Sequence, residues 1–151
     1  MVLFTKYMLV MMVMMNIANV EIKEHVGDDH IVIFGLTADE VAAKRRDGYN
    51  PREVIEGSLE LRQAVSAIAS GVFSPDDPGR YAGLMGGLYD GDWFMVAADF
   101  DAYAAAQRSV DTRWQDQAGW ATSAIHNVAK VGWFSSDRTI RQYAEEIWNV
   151  M

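Results

Sequence analysis

Gly132-Trp133-Phe134-Ser135-Ser136-Asp137-Arg138-Thr139-Ile140-Arg141-Gln142-Tyr143-Ala144-Glu145-Glu146-Ile147-Trp148 is the stretch whose reading decides the fold. Ser135, Ser136 or Asp137 can accept from the free backbone N–H groups of a first helical turn. Behind that cap, Ile140, Tyr143, Ala144, Ile147 and Trp148 recur at helical spacing and form one apolar stripe. Burying its four large members is worth roughly 1.5–3 kcal/mol each, comparable in sum with the whole net stability of a domain, about 5–15 kcal/mol. The closing helix therefore calls for a partner surface.

The same spacing continues upstream. Trp120, Ala124, Val128 and Val131 form one set and Tyr103, Gln107, Val110 and Trp114 another, so two amphipathic helices are predicted to precede the last. Thr37 followed by Ala38-Asp39-Glu40 is a capping-box pattern that starts a helix ending near Gly48. Asn50-Pro51 repeats the start signal, and Leu59, Arg62, Val65 and Ala69 predict a further helix before Gly71. Ser74-Pro75-Asp76-Asp77-Pro78-Gly79 is turn chemistry. Ile31-Val32-Ile33-Phe34, ended by Gly35, reads as a buried strand, the one strand expected. The fold class on this reading is α/β and predominantly helical.

The chain has 151 residues, the length of one ordinary domain, and half of them are hydrophobic. A net charge of −8 opposes phosphate-backbone binding, which needs clustered basic residues, and so excludes nucleic acid as a partner. The short run Lys44-Arg45-Arg46 reads as a solvated helix face. No cysteine is present, which rules out disulfides and thiol chemistry and fits a cytoplasmic location. The start is apolar and methionine-rich through Met15, with Lys6 its only charge. It falls short of the roughly 20 apolar residues of a span, and it lacks the charge order and cleavage pattern of a signal peptide.

Several constellations could carry chemistry. His25, Asp28, Asp29 and His30 are the densest potential metal ligands, but the five-residue step across Gly27 suits a solvated turn better than a chelating pair. Asp76-Asp77 and Asp90-Gly91-Asp92 read as turns and lack the ligand alternation of a calcium loop. Gly83, Gly86 and Gly87 have neither the strand before nor the lysine after that a phosphate cradle needs. No serine elbow accompanies His126, so no nucleophilic triad is arguable. Of the tryptophans, Trp114, Trp120 and Trp148 fall on apolar stripes, which leaves Trp93 and Trp133 as candidate sugar-stacking platforms in a small carbohydrate-binding domain.

Three blocks together resemble the carboxy-terminal region of the α-glucan (glycogen, starch, maltodextrin) phosphorylases. These are Ala18-Asn19-Val20-Glu21-Ile22 continuing through Glu24, Val26-Gly27 and Ile33-Phe34-Gly35-Leu36; Val96 with Ala98-Asp99-Phe100 and Tyr103; and Phe134 to Arg141 with Tyr143, Ile147 and Trp148. The resemblance implies the carboxy-terminal portion of the second Rossmann-like lobe of a two-lobed (GT-B type) glycosyltransferase. Residues 1–17 would be an apolar segment lacking the family's cofactor-lysine motif, and residues 18–151 the phosphorylase region.

The family, one of allosteric enzymes of glycogen metabolism, implies phosphorolysis of α-1,4-glucan to glucose 1-phosphate with pyridoxal phosphate held on a lysine. Met14-Met15-Asn16 is similar to the triplet that follows that lysine, and counting back in register puts Met12 in its place. Lys6 is out of that register. A thioether forms no Schiff base, so the resemblance implies that this chain does not hold the cofactor. It carries over no catalytic, cofactor-binding or metal-ligating residue. The expectation is a truncated phosphorylase inactive by itself, with α-glucan and phosphate as partners only through the family. The alternative is an interaction module that docks on a phosphorylase amino-terminal part or on another subunit.

Overall fold

The computed structural model describes residues 22–150, so the expectations for Lys6, Met12 and the apolar segment 1–17 lie outside the described residues. The described residues divide into two units, one of residues 34–108 and one formed by 22–33 with 109–150. Among the described residues every regular element is helical.

In the unit of residues 34–108 the capping signals work as read. Helix α1 (Ala38–Arg46) begins behind Thr37, whose hydroxyl accepts from Glu40 N–H while the Glu40 carboxylate accepts from Thr37 N–H at 2.7 Å. Helix α2 (Pro51–Gly57) is capped by Asn50 and has proline in its first turn, where the missing N–H costs nothing. Ser58 ends α2 and also caps helix α3 (Leu59–Ala69). Helix α4 (Ala82–Asp90) follows the turn-rich stretch, and helix α5 (Val96–Gln115) contributes its residues up to Arg108 to this unit. Ile55, Leu61, Val65, Met85 and Ala97 form the core, with Leu88 and Phe100 packed against it. Gly71 sits at φ +77 and an added Cβ would lie 2.8 Å from the Pro78 backbone, so the tight return after α3 requires glycine there.

The capping box carries a pH dependence. Its hydrogen bonds from the Thr37 backbone and hydroxyl hold the Glu40 carboxyl below the ordinary carboxylate range. A depressed folded-state value means that this stabilisation is present above the unfolded value and is lost as pH falls through the folded one. Thr37→Ala is expected to lower stability by about 1 kcal/mol at neutral pH. Urea melts at neutral and acidic pH should show that penalty shrinking in acid, where Glu40 is protonated in both proteins.

In the other unit, residues 22–26 are helical and a 3-10 turn spans Asp28–His30. From Ser109 onward α5 leads into helix α6 (Gln117–Val131), capped by Asp116, and then through a 3-10 turn, Gly132–Phe134, into helix α7 (Ser136–Tyr143), capped by Ser135. A π turn, Ala144–Trp148, ends in Asn149 at φ 49. One small core joins Ile22, Val26 and Ile31 to Phe134, and a second joins Val110 and Trp120 to Val32 and Trp114.

Three expectations are corrected. Ile31 is extended, at φ −132 and ψ 150, but Ile31–Phe34 forms no strand, because no described segment pairs with it in a ladder. Side chains supply some of the backbone partners at its two ends: Asn127 Nδ2 donates to the His30 carbonyl, and Leu36 N–H donates to Asp99 Oδ1 at 2.8 Å. The stripe of the closing helix is not core: Ile140, Tyr143, Ile147 and Trp148 are all exposed. Val128 and Val131, placed on the inner face of α6 by spacing, are exposed too. Periodicity marks an apolar face, and a face becomes core only where a second surface covers it.

Candidate functional site

Unit by unit, the chemistry-bearing side chains gather in two places. In residues 34–108 the centre is Asp92, only 3% exposed, at φ 38. Its carboxylate accepts from Val96 N–H at 2.7 Å and Ala97 N–H at 2.9 Å, capping α5, and from the Tyr49 hydroxyl at 2.6 Å. Burial, then the hydrogen bond and charge of Asp92, push the Tyr49 hydroxyl well above its usual range, so it stays a donor at physiological pH. Met95 N–H closes a turn onto the Asp92 carbonyl at 2.9 Å, and Trp93 and Phe94 project from that turn into solvent. The Arg45 guanidinium donates to the Trp93 carbonyl and lies 5.9 Å from its ring centre.

Asp99 fastens Leu36 in the same unit, and burial raises its carboxyl above the ordinary range against the opposing effect of the Leu36 N–H. Gly35 takes φ +91 beside it, and a Cβ there would lie 2.6 Å from Asp99 Oδ2. Asp90 pairs with Arg52. Asp77 pairs with Arg80 at 3.7 Å. Gly83, Gly86 and Gly87 fall within α4, where an added Cβ would meet nothing within 4 Å, so they form no cradle.

In the other unit the three histidines come together in two aromatic groups. His25 stacks on Trp133 with centres 4.4 Å apart, and the Arg138 guanidinium sits 4.0 Å from the same tryptophan ring. Trp133 thus has an imidazole and a guanidinium against its ring. His30 stacks on His126 at 4.3 Å, its Nδ1 lies 3.0 Å from Ser123 Oγ, and Asn127 holds its carbonyl at 2.8 Å.

Ser123 and Asn127 are one turn apart on α6 and clasp residue 30 between them. The Ser123–His30 pair escapes sequence reading, since 93 residues separate the partners. It is a clasp and no nucleophilic dyad, because Ser123 is buried in mid-helix and no carboxylate among the described residues is bonded to the imidazole. Asp28 pairs with Lys23 at 3.2 Å, and the Asp29 carbonyl accepts from Arg113. No three His, Asp or Glu side chains among the described residues converge as metal ligands.

A concavity of about 590 Å³ opens beside α7 and the π turn, lined by Trp133, Arg138, Arg141, Glu145 and Glu146 among others. It mixes both charges and contains no lysine. The described lysines, Lys23, Lys44 and Lys130, are all exposed. No described helix is long and apolar enough to cross a membrane.

A family model of carbohydrate phosphorylases matches residues 6–150, nearly the whole chain. The chain belongs to the carbohydrate phosphorylase family. It is 46% identical over 133 residues to the glycogen phosphorylase of Pasteurella multocida, covering 88% of this chain and 16% of that protein. It is 45% identical over 136 residues to the brain form of glycogen phosphorylase of Mus musculus, covering 90% of the chain and 16% of the relative. The glycogen phosphorylase of Synechocystis sp. is 45% identical over 133 residues, again with 16% of its length covered. The family match begins at Lys6, so both Lys6 and Met12 fall inside it.

Proposed function

We infer that the chain is the carboxy-terminal portion of an α-glucan phosphorylase. It would supply helices and one extended segment to the second Rossmann-like lobe of a two-lobed glycosyltransferase and perform no phosphorolysis by itself. The observation that carries this reading is the pairing of a family match along residues 6–150 with coverage of 16% of the relatives' length. A sheet supplied by the rest of such a lobe would give Ile31–Phe34 the ladder it lacks among the described residues. α-Glucan and phosphate are then substrates of the whole enzyme, and the cytoplasm is its place of work.

Pyridoxal phosphate needs a lysine in a sheltered cleft with donors for its phosphate. The described residues do not fit it: their lysines are exposed and the concavity beside α7 has none. With Met12 in the lysine's register, borohydride reduction in the presence of the cofactor should leave no stoichiometric phosphopyridoxyl-lysine detectable by peptide mass spectrometry. An adduct at Lys6, where the family match starts, would overturn that assignment.

The exposed stripe Ile140, Tyr143, Ile147 and Trp148 favours a second reading, in which this chain docks on a separately supplied phosphorylase amino-terminal part. Co-purification of the two polypeptides supports it, and two independent elution peaks at micromolar concentration contradict it.

A further inference from the structure

We propose that the turn Asp92-Trp93-Phe94-Met95 is a surface site for a linear α-glucan, with Trp93 and Phe94 stacking on successive pyranose faces. Trp93 is 75% and Phe94 74% exposed, yet the residues on either side, Asp92 and Met95, are almost wholly buried. The corners are fixed: Met95 N–H bonds to the Asp92 carbonyl, and the Asp92 carboxylate is held by Val96 N–H, Ala97 N–H and the Tyr49 hydroxyl. Both corners occupy the left-handed region, Asp92 at φ 38 and Met95 at φ 55. That conformation is strained for methionine, and such strain persists only where the surroundings over-determine it, as at active sites, ligand clamps and switch regions.

The effect of this anchoring is to hold two large aromatic side chains out in water, where they lose the free energy that burial would give them. Stacking on the C–H face of a sugar recovers part of it, because the electron-rich ring face attracts weakly positive C–H groups. A sugar also needs donors for its hydroxyls. Arg45 stands beside Trp93 with one nitrogen bonded to the Trp93 carbonyl, and its other N–H groups remain to serve a ligand. A neutral polymer suits this acidic chain better than a polyanion, given the net charge of −8. The choice of α-glucan among neutral polysaccharides rests on the proposed function. Trp133, the other sequence candidate, is less exposed at 43% and has His25 and Arg138 against its ring, so the site is placed at Trp93 and Phe94.

The test is affinity electrophoresis of the full chain in native gels cast with and without glycogen, with maltoheptaose and cellohexaose as soluble competitors. No phosphate is present, so phosphorolysis, whether the chain can do it or not, does not enter the reading. The proposal expects retardation by glycogen, relief by maltoheptaose but not by cellohexaose, and at least about tenfold weaker binding in W93A/F94A. It expects W133A to bind like the parent. Both replaced turn residues are exposed, and far-ultraviolet circular dichroism confirms that the double variant is folded. Absence of retardation in the parent overturns the proposal, and so does undiminished retardation in a folded W93A/F94A.

Discussion

Asp92→Ala should lower the stability of residues 34–108 by about 3 kcal/mol or more, near the upper end for a single substitution. Three donors converge on this buried carboxylate, and removing it leaves the Tyr49 hydroxyl and the first N–H groups of α5 without their acceptor. Hydrogen bonds to a charged group contribute roughly 1.5–3 kcal/mol each, and an orphaned buried donor adds its own desolvation cost. Tyr49→Phe removes only one of the three and should cost about 1.5–3 kcal/mol. The two changes should be less than additive in a double-mutant cycle, since the second removes a bond already lost. Urea midpoints followed by circular dichroism check this. An Asp92→Ala midpoint equal to the parent's would mean that the turn is held by something else.

Trp120→Ala should cost about 3–5 kcal/mol, the range for emptying a large aromatic site. Trp120 is 4% exposed, meets Trp114 edge to face at 5.0 Å, and packs on Val110 and Val32. Trp148→Ala is the informative contrast. Both tryptophans sit on apolar stripes of the same helical period, but Trp148 is 53% exposed, so its loss should fall within about 0.5 kcal/mol of the parent. Tryptophan fluorescence in urea separates the two cases. Comparable losses would show that the closing helix is covered in solution.

What was legible in the sequence is what local chemistry decides. Thr37 and Asn50 cap the helices they are expected to cap, and Ser135 is the one of the three candidates Ser135, Ser136 and Asp137 that caps α7, since a cap and its first turn lie within four residues of each other. The break between α2 and α3 at Ser58, whose hydroxyl caps α3, is not marked by the apolar spacing. Of Asp90-Gly91-Asp92, Asp90 closes α4 and Asp92 opens a turn, as its residue type suggests. Its burial and its bond to Tyr49 depend on a contact 43 residues away and were beyond local reasoning.

The strand failed for a related reason: Ile31–Phe34 has the right residues, but a strand is defined by its neighbour. The stripes of α5 and α6 place Val110 and Trp120 in the core, whereas that of the closing helix and the end of α6 stay exposed, because spacing tells which residues share a face and says nothing about what covers it. At the candidate site, the sequence offered Trp93 and Trp133 as equals. Exposure and the placement of His25 and Arg138 on Trp133 separate them. The clasp of His30 by Ser123 and Asn127 joins residues more than ninety positions apart and left no sequence signal.

The central claim is that a chain can belong to the carbohydrate phosphorylases along almost its whole length and still perform none of their chemistry alone. The most direct measurement incubates the purified chain with glycogen, inorganic phosphate and pyridoxal phosphate, and assays glucose 1-phosphate by a coupled enzyme reaction. The account predicts release no greater than a blank without protein. Release that is proportional to the amount of chain and needs the cofactor would contradict it.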